Sequence, residues 1–445
     1  MSNPSPPRLL VLFQGNWEDE ALQRRVRSGE LRLEREGFEI LSLRHAHRLF
    51  HFDARRFAER MCATYRSRID GVWSNDDGFG CLLAAVMAER LGLPGNDPRA
   101  VVRCQHKVLL RDVLAAAVPQ ATVAATALPF SLMDRRSRDA AAIETAVAAA
   151  GRRWPLFCKP VKGVFSALAR VVRDAGELAA QHRLSWWDRA TLRGSTRPFE
   201  QLAADVMPLP CSVDRLLLEE PMTGMQVNVD GFVENGAVHV LGIVDEWMYG
   251  DEVAGARHFA GFTYPSRLPV AVQQRVRATA EAAIRAVGAT RGQWNVELFV
   301  GEDGAVRVIE INPRAAGQFT TLYRDVDGLD VDGMAIAEAL GRGIASVPRI
   351  ARAGGAAASF VFRRFDGRTG PVPDAAALRW LKERHPRARL WLEHGAGRAL
   401  RREYRWYGSH RYAVVNHAAA DFEELFRDGA EIGRRLFGAG ALPLA

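Results

Sequence analysis

Two carboxylates and one amide stand at matched positions of a predicted β-hairpin. The segment WNVELFVGEDGAVRVIEINPR (294–314) has two alternating apolar strands joined by the turn GEDGA. Counting outward from that turn places Glu297 across from Glu310, and the strand period of two puts Asn312 on the same face as Glu310. Oxygen ligands of this kind suit Mg²⁺ or Mn²⁺, and magnesium is commonly shared with substrate phosphates. The hairpin therefore predicts a metal and phosphate site, with an exposed polar strand face as the alternative.

The lysines are the second chemical signal. The chain has 60 basic residues, yet only Lys107, Lys159, Lys162 and Lys382 are lysines. Three of these lie close together in a chain that otherwise uses arginine. A lysine ammonium is a compact charge on a flexible stem, suited to single contacts with phosphate oxygens. The grouping favours phosphate binding over chance.

The elements that must position these residues fall into three parts. The first hundred residues alternate strand and helix, which predicts a small parallel sheet with helices on its faces. After residue 150 come strands and hairpins with ENGA and EDGA as turns. The last part, 352–445, has two strands, AASFVFRR and RYAVVNH, and a final amphipathic helix.

Composition limits the function classes. Hydrophobic residues make up 48% and charged residues 25% of the chain, as in ordinary globular proteins. No apolar run approaches the roughly 20 residues that a membrane-spanning helix needs. The net charge of +8 is dispersed among acidic residues, so a nucleic-acid partner is not expected. The five scattered cysteines, with no CxxC pair, argue against a disulfide framework or a zinc site and fit a cytoplasmic setting.

Taken in order, five motifs resemble those of an ATP-grasp ligase. The likeness is strongest to the branch that holds the L-amino acid ligases, carnosine synthases and biotin carboxylases. It implies a pre-ATP-grasp parallel α/β domain at 1–103, a two-lobed ATP-grasp fold at 104–351 with its lid lobe at about 120–220, and a C-terminal α+β subdomain at 352–445. The motifs are ERLGLPGNDPRAVVRCQHK, PLFCKPVKGVFS, LLLEEPMTGMQ, NVELF and EINPRAAG.

The resemblance implies that ATP lies between the two lobes and contacts both. The phosphates would meet lysines, a hydroxyl of the flexible lid loop and a histidine, while the inter-lobe hinge would hold the adenine and ribose. Gln226 stands where the family usually has a ribose-binding glutamate. The matching positions are Lys107, Lys159, Ser166 and His258 for the phosphates, and Glu219, Glu220, Met222 and Gln226 for the adenosine.

The same resemblance gives the hairpin its chemistry. Glu297, Glu310 and Asn312 would hold two Mg²⁺ (or Mn²⁺) ions. Arg314 would lie beside the γ-phosphate and the developing acyl phosphate, where a fixed guanidinium stabilises growing negative charge. Arg314 and Lys159 are thus the expected catalytic residues.

The implied function is an ATP- and Mg²⁺-dependent ligase joining a small carboxylate to an amine through an acyl phosphate. Homodimers are frequent among such enzymes, so a homodimer is expected. One alternative is a carboxylase- or carbamoyl-phosphate-type enzyme acting on bicarbonate. Against it, no lysine follows Lys382 to serve as the attachment point of a biotin carrier. The other alternative is a non-catalytic ATP-binding module, which the intact Lys, Glu, Asn and Arg set disfavours.

Two further positions are expected at the substrate. Arg324 would pair a substrate carboxylate, with a surface ion pair as the alternative. Trp247 belongs to a dense aromatic segment, 245–269, that would line a pocket for a bulky apolar or aromatic acid. The alternative is that these rings are part of the core of the large lobe.

Overall fold

Three β-sheets organise the chain. We describe them from a computed structural model. The residues that the structure describes are 5–15, 17–38, 46–163, 168–249 and 258–438.

The first sheet is small and parallel, with strand order β2-β1-β3. Its central strand is the run of apolar residues near the start of the chain, buried on both faces as parallel strands usually are. Helices pack around it, and Asp53 caps one of them by accepting hydrogen bonds from two backbone N–H groups. This confirms the parallel α/β unit. Its elements are β1 (Arg8–Leu12), α1 (Asp19–Arg27), β2 (Arg32–Glu36), α2 (Ala54–Tyr65), β3 (Gly71–Trp73), α3 (Gly80–Leu91) and α4 (Pro98–Gln105).

The second sheet is antiparallel, with strand order β4-β7-β5-β6, and lies in the segment expected to be the lid lobe, so it is called the lid below. The residues from 98 to 117 form two helices, 98–105 and 107–117, because the backbone of His106 is extended. Lys107 thereby becomes the first residue of the second helix. The helix α5 (Lys107–Ala117) precedes the lid, whose elements are β4 (Ala125–Ser131), α6 (Ala140–Ala149), β5 (Leu156–Pro160), β6 (Arg170–Val172), α7 (Ala175–Gln181), α8 (Trp186–Val206) and β7 (Arg215–Glu219).

The third sheet has eight antiparallel strands in the order β12-β11-β8-β9-β10-β13-β15-β14. The C-terminal strands extend this same sheet, since β13 pairs with β10 at Gly261 and Phe360. Its elements are β8 (Met225–Glu234), β9 (Ala237–Met248), β10 (Phe259–Tyr264), α9 (Val270–Ala286), β11 (Gly292–Val300), β12 (Val306–Asn312), α10 (Thr320–Asp327), α11 (Val331–Ala339), β13 (Ala356–Arg364), α12 (Ala375–Arg384), β14 (Arg389–Leu392), α13 (Gly397–Tyr407), β15 (His410–Ala419) and α14 (Phe422–Phe437).

The two faces of the large sheet have different roles. The near face carries polar side chains at one end and packs at its centre against α10, α11 and the N-terminal unit, through residues such as Phe262 and Tyr323. The far face is apolar: α5 and α9 cover one half, and α12 and α14 cover the other. The sheet thus separates a polar cleft from two layers of helices. No helix in the described part of the chain is long and apolar enough to span a membrane.

The packing of α14 against the far face depends on the absence of a side chain at Gly429. A Cβ at Gly429 would lie 2.3 Å from the ring of Phe360, which is fully buried. Alanine normally favours a helix by about 1 kcal/mol over glycine, but the clash should reverse that sign. We expect Gly429→Ala to lower the free energy of unfolding by about 1–3 kcal/mol, measured by denaturant melts.

A double-mutant cycle provides the control. Phe360→Leu shortens the side chain that the added methyl group would strike, so the double variant should lose less stability than the two single variants added together. Strict additivity, or a stabilised Gly429→Ala protein, would contradict this account of the packing.

Candidate active site

The predicted acidic hairpin is present, and its register brings the oxygen ligands together. Glu297 on β11 pairs with Glu310 on β12, and Asn295 pairs with Asn312. The Asn312 side-chain amide donates to Glu297 Oε1 (3.1 Å) and to Asn295 Oδ1 (3.0 Å). Because the amide nitrogen makes both bonds, the amide oxygen is the atom that Asn312 can offer to a cation. Two carboxylates and one amide oxygen are therefore positioned to bind the same cation.

The two carboxylates differ in their proton affinity. Burial raises the pKa of Glu297 well above its usual range, and the negative charges of Glu310 and Glu246 raise it further. Burial also acts on Glu310, but the ammonium groups of Lys107 and Lys159 outweigh it and lower its pKa. A divalent cation bound here would offset both the burial and the repulsion that raise the pKa of Glu297. The pair therefore fits a metal site better than a purely structural one.

The polar surface extends from the hairpin across the neighbouring strands. Gln226 on β8 donates to Glu297 Oε2 (3.4 Å). Asn295 Nδ2 donates to Asn228 Oδ1 (3.2 Å), whose own amide nitrogen donates to Glu246 Oε2 (3.1 Å). Sequence reasoning missed Asn228, Asn295 and Glu246. The alternation QVNVD on β8 was the available signal, because it places Gln226 and Asn228 on one face.

Lys107 connects the hairpin to the lid loop. Its Nζ lies 3.3 Å from Glu310 Oε2 and donates to the carbonyl oxygen of Gly163 (3.2 Å). The side chain is only 10% exposed, so its charge acts at short range on the acidic pair. Lys107 therefore lies between the acidic pair and Gly163.

A buried ionic triad joins the lid to the large sheet. Glu219 at the end of β7 lies 2.8 Å from Lys159 Nζ and 2.6 Å from Arg111 Nε. Arg111 also donates to the carbonyl oxygens of Val308 and Ile309 on β12, at 2.7 and 2.9 Å. Burial works against an ionised Glu219, yet the two cations lower its pKa to about 2. Arg111 was missed, although it lies one helical turn after Lys107 and so shares its face.

The N-terminal unit contributes a further charge. Asp77, just beyond β3, lies 3.1 Å from Arg314 NH2, and Lys162 donates to its backbone carbonyl (2.7 Å). Burial would raise the pKa of Asp77, but Arg314 and Lys162 lower it to about 2. Arg314 is thereby fixed beside the hairpin from which it emerges. No local pattern in the sequence links positions 77 and 314.

Two further nucleotide positions, Glu220 and Met222, follow the end of β7. Glu220 is exposed, 3.8 Å from Arg152, and its backbone N–H donates to the Ala124 carbonyl (3.2 Å). Met222 follows in the extended connection between β7 and β8. Ser166 lies outside the described residues. These positions stay predictions.

His258 lies beside the C-terminal unit. Its Nδ1 is 3.4 Å from Ser409 Oγ, and its ring packs on Phe365 at 5.3 Å between centroids. Burial, reinforced by Arg363, lowers the pKa of His258 to about 4, so the ring is neutral near pH 7. A phosphate contact at His258 stays a prediction.

Trp247 is turned away from the cleft. Glu246 faces Asn228 on the near face, so the next residue of the strand points to the far face. There Trp247 packs edge-on against Phe360 and Phe426. The expected substrate contact at Trp247 is therefore contradicted by the phase of the strand.

The other rings of that segment are also core. Phe262 packs on Phe319, and Tyr264 packs on Tyr323. The aromatic segment therefore gives no support to a pocket for a bulky apolar acid. Arg324 is 2.9 Å from Asp325 Oδ1, which is the ion pair named as the alternative to substrate binding.

Comparison with known proteins agrees with this geometry. A sequence profile of the ATP-grasp domain matches residues 152–322. An uncharacterized protein of Sinorhizobium fredii is 30% identical over 276 residues, which are 58% of this chain and 47% of that protein. The D-alanine–D-alanine ligase of an Anaeromyxobacter species is 31% identical over 145 residues, 32% of this chain and 42% of that enzyme. The chain spans less than half the length of these curated relatives.

Among solved structures, the L-amino acid ligase from Bacillus licheniformis superposes with a TM-score of 0.66 at 17% identity, covering 98% of both chains. At that identity the match shows the fold alone, and it extends over the N-terminal unit, the lid and the C-terminal strands together. Residues 152–322 thus match the ATP-grasp domain in sequence, and the chain as a whole has the ATP-grasp fold.

Proposed function

We propose that this protein is a ligase that uses ATP and Mg²⁺ to join a small carboxylate to an amine. The observation that carries the proposal is the partly buried acidic hairpin, Glu297 and Glu310 with Asn312, bordered by Lys107 on one side and Arg314 on the other. Two similar proteins are themselves named as ligases, the D-alanine–D-alanine ligase of Anaeromyxobacter and the L-amino acid ligase of Bacillus licheniformis.

The metal would be held by Glu297, Glu310 and the amide oxygen of Asn312. Hard oxygen donors without nitrogen or sulfur favour Mg²⁺ or Mn²⁺. A bound cation would neutralise phosphate oxygens during transfer. Lys107 contacts Glu310 and would bind the same phosphate oxygens as the cation.

The nucleotide would lie between the lid and the near face of the large sheet. Lys159 extends from β5 of the lid, held by Glu219, and would meet the phosphates opposite Lys107. The hinge from Glu219 to Met222 would hold the adenine edge by its backbone, and Gln226 would face the ribose. Closure of the lid keeps water from a reactive acyl group.

The reaction has two steps. A carboxylate oxygen attacks the γ-phosphorus, the bond between that phosphorus and the bridging oxygen breaks, and ADP leaves. The amine nitrogen then attacks the acyl carbon, phosphate leaves, and the nitrogen loses a proton. Arg314, held by Asp77, would stabilise negative charge that grows on the transferred group.

The proposal is tested by measuring ADP release across a matrix of amino acids, small carboxylic acids, amines and bicarbonate. We expect ADP to form only when one particular carboxylate is present. When hydroxylamine replaces the amine, a hydroxamate should form instead of the amide. ADP release that responds only to bicarbonate would favour the carboxylase alternative. Nucleotide binding without turnover on any acid would favour a non-catalytic module.

The metal ligands give a sharper test. Glu310→Gln and Asn312→Ala should each lower Mg²⁺-dependent ADP formation by roughly a thousandfold or more, because several kcal/mol of transition-state stabilisation is lost. Glu302→Gln, in the exposed turn of the same hairpin, is the matched control and should keep full activity. Turnover of the Glu310 or Asn312 variants within about twofold of wild type would mean that the hairpin is only structural.

The lid lysine can be tested without changing its charge. Lys159→Arg should raise the KM for ATP and lower kcat, because the planar guanidinium is bulkier than the ammonium that fits beside Glu219. Lys382→Arg, on the exposed face of α12, should leave both constants unchanged. If Lys159→Arg behaves like that control, the lysine has no special part in ATP use.

A further inference from the structure

Three potential metal ligands converge on the far face of the large sheet, away from the acidic hairpin. His417 lies on β15, Asp428 lies in α14, and His385 follows the last residue of α12. One ligand atom from each residue lies within 4.8 Å of the other two. Two further elements, β14 and α13, separate His385 from the other two residues along the chain, so only the fold brings the three together.

Hydrogen bonding within the protein does not satisfy this cluster. His417 Nε2 lies 2.9 Å from Asp428 Oδ2, whereas His385 Nδ1 lies 3.8 Å from the same oxygen, beyond hydrogen-bond distance. Both imidazoles are more than nine-tenths buried, at 6% and 7% exposed. Within the described ranges, His385 Nε2 and His417 Nδ1 have no hydrogen-bond partner. The nitrogens nearest the Asp428 carboxylate are His417 Nε2 and His385 Nδ1, and an ion at this point would engage these two, of which only the first is hydrogen-bonded to the carboxylate.

The surroundings favour a cation held by these side chains. The two rings are nearly perpendicular, with centroids 4.8 Å apart, and one nitrogen of each lies within 4.8 Å of the Asp428 carboxylate. Asp428 supplies the negative charge. Leu381, Leu425 and Ile432 belong to the C-terminal core and lie one helical turn from His385 or Asp428 along the chain.

We propose that His385, His417 and Asp428 bind a zinc ion. Two imidazole nitrogens and one carboxylate oxygen form a common zinc donor set, with water as a fourth ligand, whereas Mg²⁺ prefers oxygen alone. Zinc–ligand bonds of about 2 Å require donors spaced by roughly 3.3 Å. The side chains would therefore rotate slightly inward from their present separation.

The role of this ion is structural. Asn416 faces the near side of the sheet, where it donates to the carbonyl of Gln318 and to the hydroxyl of Thr321. The next residue, His417, consequently points to the opposite side. A zinc ion here would tie α12 and α14 to β15 without contact with the cleft. The scattered cysteines gave no sign of zinc, because this site uses none of them.

The experiment uses the full chain purified without a polyhistidine tag and dialysed against metal-free buffer. Zinc is then added in the presence of excess Mg²⁺, and bound metal is measured by elemental analysis. We expect about one zinc per wild-type chain, falling at least tenfold in His385→Ala and in Asp428→Asn, together with a rise in Tm on zinc addition that only the wild type shows. Co²⁺ bound in place of zinc should give the visible absorption bands of a four-coordinate site with nitrogen ligands.

Two controls separate this site from the acidic hairpin. His239→Gln changes an exposed histidine elsewhere and should keep the zinc. Glu310→Gln should also keep it, even though activity is expected to be lost, so the two proposals can fail independently. A wild-type chain that binds no more zinc or Co²⁺ than Asp428→Asn would overturn the zinc site, whether or not the variants fold well.

Discussion

The register between β11 and β12 is the constraint on which the candidate active site depends. Glu297, Glu310, Asn295 and Asn312 all lie on one face because the strands pair as they do. A slip of one residue would move these side chains into the apolar far face, which is covered by α5 and α9. The buried residues of that face, including Val296, Leu298, Val308 and Ile311, therefore fix the position of the polar ones. Burial of the far face and chemistry of the near face are two results of one pairing.

That pairing concentrates negative charge, and cations from three parts of the chain balance it. Lys107 comes from the helix between the units, Lys159 from the lid, and Arg314 from the end of β12 itself. Arg111 adds a mechanical link, because it holds Glu219 of the lid and two carbonyls of β12 at once. A buried ion pair thus joins the lid to β12, the strand that carries Glu310 and Asn312. Removal of one partner would leave an uncompensated charge inside the protein.

How much of this could be predicted from the sequence depends on the range of each contact. The hairpin ligands were predictable because strand period and turn position fix a local geometry. Asp77 was not, because its partner Arg314 lies 237 positions later and only the packing of the first unit brings the two together. The substrate contact predicted for Trp247 was wrong, although the segment around it is indeed rich in aromatic residues. What was missing was the phase of β9, which the neighbouring Glu246 would have supplied once its partner Asn228 was known.

The same alternation explains how one sheet can hold two unrelated polar clusters. On β9, Glu246 faces the cleft while Trp247 enters the C-terminal core. On β15, Asn416 faces α10 while His417 meets Asp428 of α14. Adjacent residues of one strand therefore belong to different environments, separated by the thickness of the sheet. A cation bound on the far side can stabilise the C-terminal strands, and through β13 and β10 the sheet that carries the hairpin, without taking part in chemistry on the near side.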